Sequence, residues 1–158
     1  MKTMSLTLAA TALFAAPVFA EAHMSGDADA GESVFNQCQA CHVVTNDEGE
    51  TLAGRAGRTG PNLYGLQGKT AGTVEDFRYS DSMVAAGEAG LEWDEENFVA
   101  YVQDPTGFLR EYLDDNGARG KMSFKLRSEE DAANVYAYIV SLGGGEEMEE
   151  GAEEGSGS

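Results

Sequence analysis

The sequence predicts an all-α fold, on three observations. Apolar residues recur at helical spacing behind cap residues near 94–104 and 128–142. No segment alternates convincingly as a strand. Residues 43–80 form a loop region longer than a compact domain sustains without support, so the short helices must pack around a large apolar part that the chain does not supply.

The elements follow in order. Met1-Lys2 gives a short positive start, Leu6 to Phe14 a brief apolar run, and Pro17-Val18-Phe19-Ala20 a small-residue ending. This pattern predicts a secretory signal peptide over 1–20, cut after Ala20. A membrane anchor would need about 20 apolar residues, and this run is shorter and is followed by Glu21. The protein is therefore expected to be exported, with no membrane anchor. Residues 21–26 form a polar, flexible lead, and 27–142 make one domain. Residues 143–158 (GGGEEMEEGAEEGSGS) carry six glutamates and almost nothing apolar, the composition of a disordered acidic tail.

Within the domain a first helix is expected over about Asp29 to Gln37, with Val34 and Phe35 as its apolar contribution. A second near Asp81–Ala86 should stop at Gly87. A third begins at Asp94, carries Glu95 and Glu96 where the helix dipole favours anions, and ends before Pro105. A fourth covers about Thr106 to Asp114. The last starts at Ser128 and ends at Gly143, with one apolar stripe of Val135, Tyr138, Ile139 and Leu142. The formal charge of −18 excludes general binding to nucleic acid, which needs a basic surface.

Both cysteines of the chain lie in QCQACHVV, residues 37–44. Cys38-x-x-Cys41-His42 is the attachment signature of c-type haem. Two thiols three residues apart can each form a thioether to one haem vinyl group, and the following imidazole then lies beneath the ring. A redox-active CxxC pair would need a βαβ context that is absent. Zinc would need four ligands, and beyond these three the chain offers only His23. A second axial ligand separates an electron carrier from an open, five-coordinate enzyme or gas sensor. The methionine candidates are Met24, Met83, Met122 and Met148. Met122, in the glycine-led loop GKMSFKL before the last helix, can approach the ring from the far face.

With these residues in view, the chain resembles the class I cytochromes c, most closely the bacterial cytochrome c2 and c550 type. The resemblance covers about 27–142 and rests on CQACH at 38–42, TGPNLYG at 59–65, Trp93, YVQDP at 101–105 and KMSFKL at 121–126. It implies short helices and long loops wrapped around one covalently bound haem c. It implies His42 and Met122 as axial ligands, and Cys38 and Cys41 as the thioether residues. The Pro61 carbonyl would accept from the other nitrogen of His42. Tyr101 would lie beside the methionine sulfur, and Tyr79 and Trp93 would donate to a haem propionate. Gly31 and Phe35 would meet the last helix near Val135 and Tyr138. The implied role is a monomeric, periplasmic one-electron carrier and not an enzyme. Its partners would be redox proteins such as a cytochrome bc1 complex, a photosynthetic reaction centre or a terminal oxidase. The segment between Pro105 and Met122 is longer than in the mitochondrial proteins, and Gly120 replaces a hydroxyl donor found there.

Charge is unevenly spread. Stretches 51–74 and 116–128 contain no acid, yet they hold Arg55, Arg58, Lys69, Arg119, Lys121, Lys125 and Arg127. The last four, flanking Met122, are expected to form a basic docking rim for an acidic partner. Lys125 is expected to matter more there than Lys69.

Overall fold

The computed structural model describes residues 24–143 except 56 and 58. The predicted signal peptide, the lead as far as His23 and the tail beyond Gly143 lie outside the described residues. Five helices and one hairpin follow in the order α1 (Ala28–Phe35), β1 (Val43–Thr45), β2 (Thr51–Gly54), α2 (Asp81–Glu88), α3 (Glu95–Gln103), α4 (Pro105–Tyr112) and α5 (Glu129–Leu142).

Every helix begins on an acidic or hydroxyl cap. Asp27, Ser80, Asp94, Asp104 and Ser128 each accept a hydrogen bond from the backbone N–H three residues on. Such a cap is worth about 1 kcal/mol against alanine. Asp104 closes α3 and opens α4 at once, and Pro105 fits α4's first position because its missing N–H has no partner there anyway.

The core is built on α5. Ala132 to Ala137, Ile139 and Val140 are all buried, so α5 is covered almost all round rather than along the single expected stripe. Tyr138 and Leu142, assigned to that stripe, are only partly buried. α1 packs on one side, with Phe35 and Tyr138 ring centroids 5.6 Å apart. α3 packs on another, with Phe98 5.2 Å from Tyr136. Asn134, the one buried polar side chain of this core among the described residues, accepts from the Asp27 N–H at 2.7 Å and so ties α5 to the start of α1.

Three expectations need correction. The chain has strands: β1 and β2 pair antiparallel, Val43 against Gly54 and Val44 against Ala53, with an irregularity before Thr45. Three residues of β1 are too few to show alternation, although Val-Val-Thr is β-branched throughout and suits a pleated surface. Gly87 does not stop α2. It is buried inside the helix where the Ala71 carbonyl leaves no room for a side chain, and the chain turns at Gly90, whose φ is +97°. The lead is not loose throughout, since the Ser25 N–H donates to the Glu95 carboxylate at 2.9 Å and Gly26 lies against the Ala133 carbonyl.

The region 43–80 is therefore better supported than a bare loop. Its segment at 62–63 pairs with β1, through a parallel bridge of Val43 with Asn62 and the Leu63 N–H to the Val43 carbonyl. Its segment at 68–71 exchanges backbone hydrogen bonds with Leu91 and Trp93, which fixes Trp93 in the core.

Candidate functional site

The cysteine pair sits on a turn that continues from α1. The N–H groups of Cys38 and Gln39 bond to the Phe35 carbonyl, and those of Cys41 and His42 bond to the Cys38 carbonyl. Both thiols are free, Cys38 half-buried and Cys41 exposed. Burial, and then the neighbouring Cys41, push the Cys38 thiol up to about 11. A reactive redox cysteine has the opposite shift, towards thiolate at neutral pH. Two free thiols on one turn suit addition across vinyl groups.

His42 is held on two sides. Its Nδ1 lies 2.9 Å from the Pro61 carbonyl oxygen. A carbonyl can only accept, so Nδ1 carries the proton and Nε2 keeps a free lone pair. Burial lowers the imidazole pKa, and the Pro61 bond opposes that shift without reversing it. A neutral ring with Nε2 free is what a metal ligand requires. On its face lies Gly60, so close that a Cβ there would stand 2.4 Å from the His42 Cε1.

Residues beyond those expected hold this arrangement. Gly60 N–H donates to the Cys41 carbonyl at 2.8 Å. The Asn62 side chain accepts from the N–H of Thr45 and donates to its carbonyl, at 2.9 and 2.7 Å. Pro61 is thus clamped between a hydrogen bond to the attachment turn and an amide locked onto β1. Both Gly60 and Asn62 stand in TGPNLYG, and a glycine beside a proline with an asparagine after it is a turn signal that could have found them.

Three aromatic residues form a second group. Trp93 and Tyr101 meet edge to face with centroids 5.1 Å apart. Burial, and then the nearby Tyr79, push Tyr101 up to about 12. Burial also pushes Tyr79 up to about 12, against a hydrogen bond with the Val74 backbone. Both phenols therefore stay protonated at neutral pH and can donate. Cys38, Tyr79, Tyr101 and Met122 all pack, partly buried, against the common core. Of the other methionines, Met83 is 5% exposed among apolar neighbours and Met24 is exposed, while Met148 lies outside the described residues.

The geometry supplies two thiols, an oriented imidazole and a half-buried thioether, a donor set that fits a covalently held haem. No family model matches the chain. Individual proteins do. The chain is 61% identical over 124 residues to the cytochrome c2 of Rhodovulum adriaticum, covering 78% of this chain and 98% of that one. It is 56% identical over 144 residues to the cytochrome c2 of Cereibacter sphaeroides, covering 90% and 97%. The chain belongs to the cytochrome c2 family. A crystal structure of cytochrome c2 from Rhodobacter sphaeroides superposes with a TM-score of 0.73 at 58% identity, over 74% of this chain and 96% of that one. Cytochrome c2 carries one covalently attached haem c and moves single electrons between redox proteins; it is not an enzyme. The five-coordinate alternative finds no support among these relatives. Among the described residues, no helix is long and apolar enough to cross a membrane.

Proposed function

We propose that this cytochrome c2 loses residues 1–20 on export and works in the periplasm, with its iron held between His42 Nε2 and Met122 Sδ. Cys38 and Cys41 bind the haem vinyl groups as thioethers. The observation that carries this reading is the His42–Pro61 hydrogen bond, which leaves Nε2 as the one ring nitrogen available to a metal. When bound, the haem supplies an iron that cycles by one electron between ferric and ferrous. The Pro61 carbonyl fixes the imidazole's tautomer and makes it a stronger donor. The Met122 thioether favours ferrous iron and raises the potential. Tyr79 and Trp93 are the candidate donors to a propionate, which would otherwise be a costly unpaired charge. Tyr101 stands beside the sulfur in this reading.

Met122→Leu tests the ligand. The weak red-edge band of iron–sulfur ligation should disappear and the midpoint potential should fall. If Met122→Leu keeps its spectrum and potential, the assignment is wrong and Met83 becomes the candidate.

The same reading has the carrier docking through the rim of Arg119, Lys121, Lys125 and Arg127 on the acidic face of a cytochrome bc1 complex, reaction centre or terminal oxidase. Lys125 Nζ lies 2.8 Å from an Asp104 carboxylate oxygen. The bond to Lys125, and then the Gly107 N–H, hold the Asp104 carboxyl below the usual range, so it stays charged and offsets Lys125. Lys125 is therefore not a fully free cation of the rim. Asp104→Asn keeps an α4 cap but removes the opposing charge. It should speed electron transfer to an acidic partner, and rising salt should slow that transfer in the parent protein. Rates that climb with ionic strength, or an Asp104→Asn protein no faster than the parent, would count against the rim.

A further inference from the structure

The loop bearing Met122 has little backbone support of its own. Among the described residues, no backbone N–H or carbonyl from 120 to 125 takes part in a hydrogen bond. The loop is fixed at its far end, where the Leu126 N–H reaches the Val102 carbonyl at 2.9 Å. At its near end the Arg119 N–H donates to the Ser82 hydroxyl at 3.0 Å, across 37 residues. Between these ends the Lys121 ammonium donates to the Arg78 carbonyl, across 43 residues. Ser82 belongs to the first turn of α2, and Arg78 adjoins Tyr79. Two contacts thus join the methionine loop to the 78–82 segment, one on each side of Gly120.

We propose that Lys121 and Ser82 are positioning residues that strap this loop shut and set how readily Met122 leaves the iron. The proposal rests on the reading of Met122 as axial ligand. Lys121 donates to a neutral carbonyl and not to a carboxylate, so it can hold the loop and still belong to the rim. Opening the loop must break the strap. An external ligand that takes the place of Met122 binds only the open form, and its apparent affinity scales with the fraction open. Arg119 strengthens the near end, because its Nη1 donates to the carbonyls of Asn116, Gly117 and Ala118 at 3.3, 3.2 and 2.8 Å. The near anchor is therefore stiff, the Lys125–Asp104 ion pair lies beside the far anchor, and the Lys121 contact is made by the residue next to Met122.

The test is imidazole binding to the ferric, haem-loaded protein, followed by loss of the iron–sulfur band, with thermal midpoints measured alongside. Lys121→Leu should bind imidazole about tenfold tighter, which corresponds to about 1.4 kcal/mol and lies near the low end for a hydrogen bond from a charged donor. Ser82→Ala should shift binding in the same direction. Without imidazole both variants should keep the band. Lys121→Arg, which can still donate, should restore the parent's affinity, a rescue that a general loss of stability would not give. A parent protein that shows the band, with both variants binding imidazole as weakly as it does, overturns the strap alone. A parent protein without the band overturns the reading of Met122 and the strap with it.

Discussion

Gly31→Ala should cost about 3 kcal/mol or more of folding stability, at the upper end of overpacking penalties. A Cβ at residue 31 would stand 2.0 Å from the Asn134 carbonyl oxygen and 2.8 Å from the Tyr138 Cβ. The obstructing atoms are mostly backbone, so no rotamer change relieves the clash and α1 must move away from α5. That shift would also loosen the Phe35–Tyr138 ring contact and the Asp27–Asn134 hydrogen bond. Alanine favours a helix over glycine by only about 1 kcal/mol, so the clash dominates. A domain with a total stability of about 5–15 kcal/mol would lose a large part of it. Chemical denaturation of the haem-loaded protein measures the effect, and a midpoint equal to or above the parent's would show that the helices do not cross this closely.

Gly60→Ala should damage the iron site more than the fold. Its Cβ would lie 2.4 to 2.7 Å from His42 Cε1, Nδ1 and Nε2. The ring cannot swing freely away, because the Pro61 carbonyl holds Nδ1 at 2.9 Å. The new methyl must therefore displace Pro61, break that bond or tilt the imidazole. Each outcome misaims Nε2. On the ligation proposed above, the haem should stay covalently attached through Cys38 and Cys41, while the ferric spectrum should gain high-spin features relative to the parent's. Folding stability should fall by about 2 kcal/mol, a typical overpacking cost. The decisive comparison is the ferric spectrum of the two proteins at neutral pH, and identical spectra would rule out tight packing of Gly60 on the ring.

The parts of the molecule that could be read from the sequence are those whose causes lie within a few residues. Thioether spacing and the adjacent imidazole fit inside one turn, so CQACH announced the haem. The caps at Asp94 and Ser128 act on N–H groups three residues away, and both helices begin where expected. The glycine of α2 misled, because a helix terminator and a glycine forced by a neighbouring carbonyl are the same letter. The hairpin escaped because its pairing partners, not an alternating pattern, make it a sheet.

The sequence by itself determined the cofactor and the helical class, because each follows from local spacing or periodicity. Only the tertiary structure decided that Gly60 lies flat on the imidazole, that Asn62 locks Pro61's loop to β1, that Asp104 offsets Lys125, and that Lys121 reaches Arg78. These contacts join residues 17 to 43 positions apart. Their existence depends on how separate stretches of backbone pack, and to a repeat of three or four residues such distances are invisible. The attachment chemistry is written along the chain, whereas the aim of the imidazole and the hold on the methionine loop are written across it.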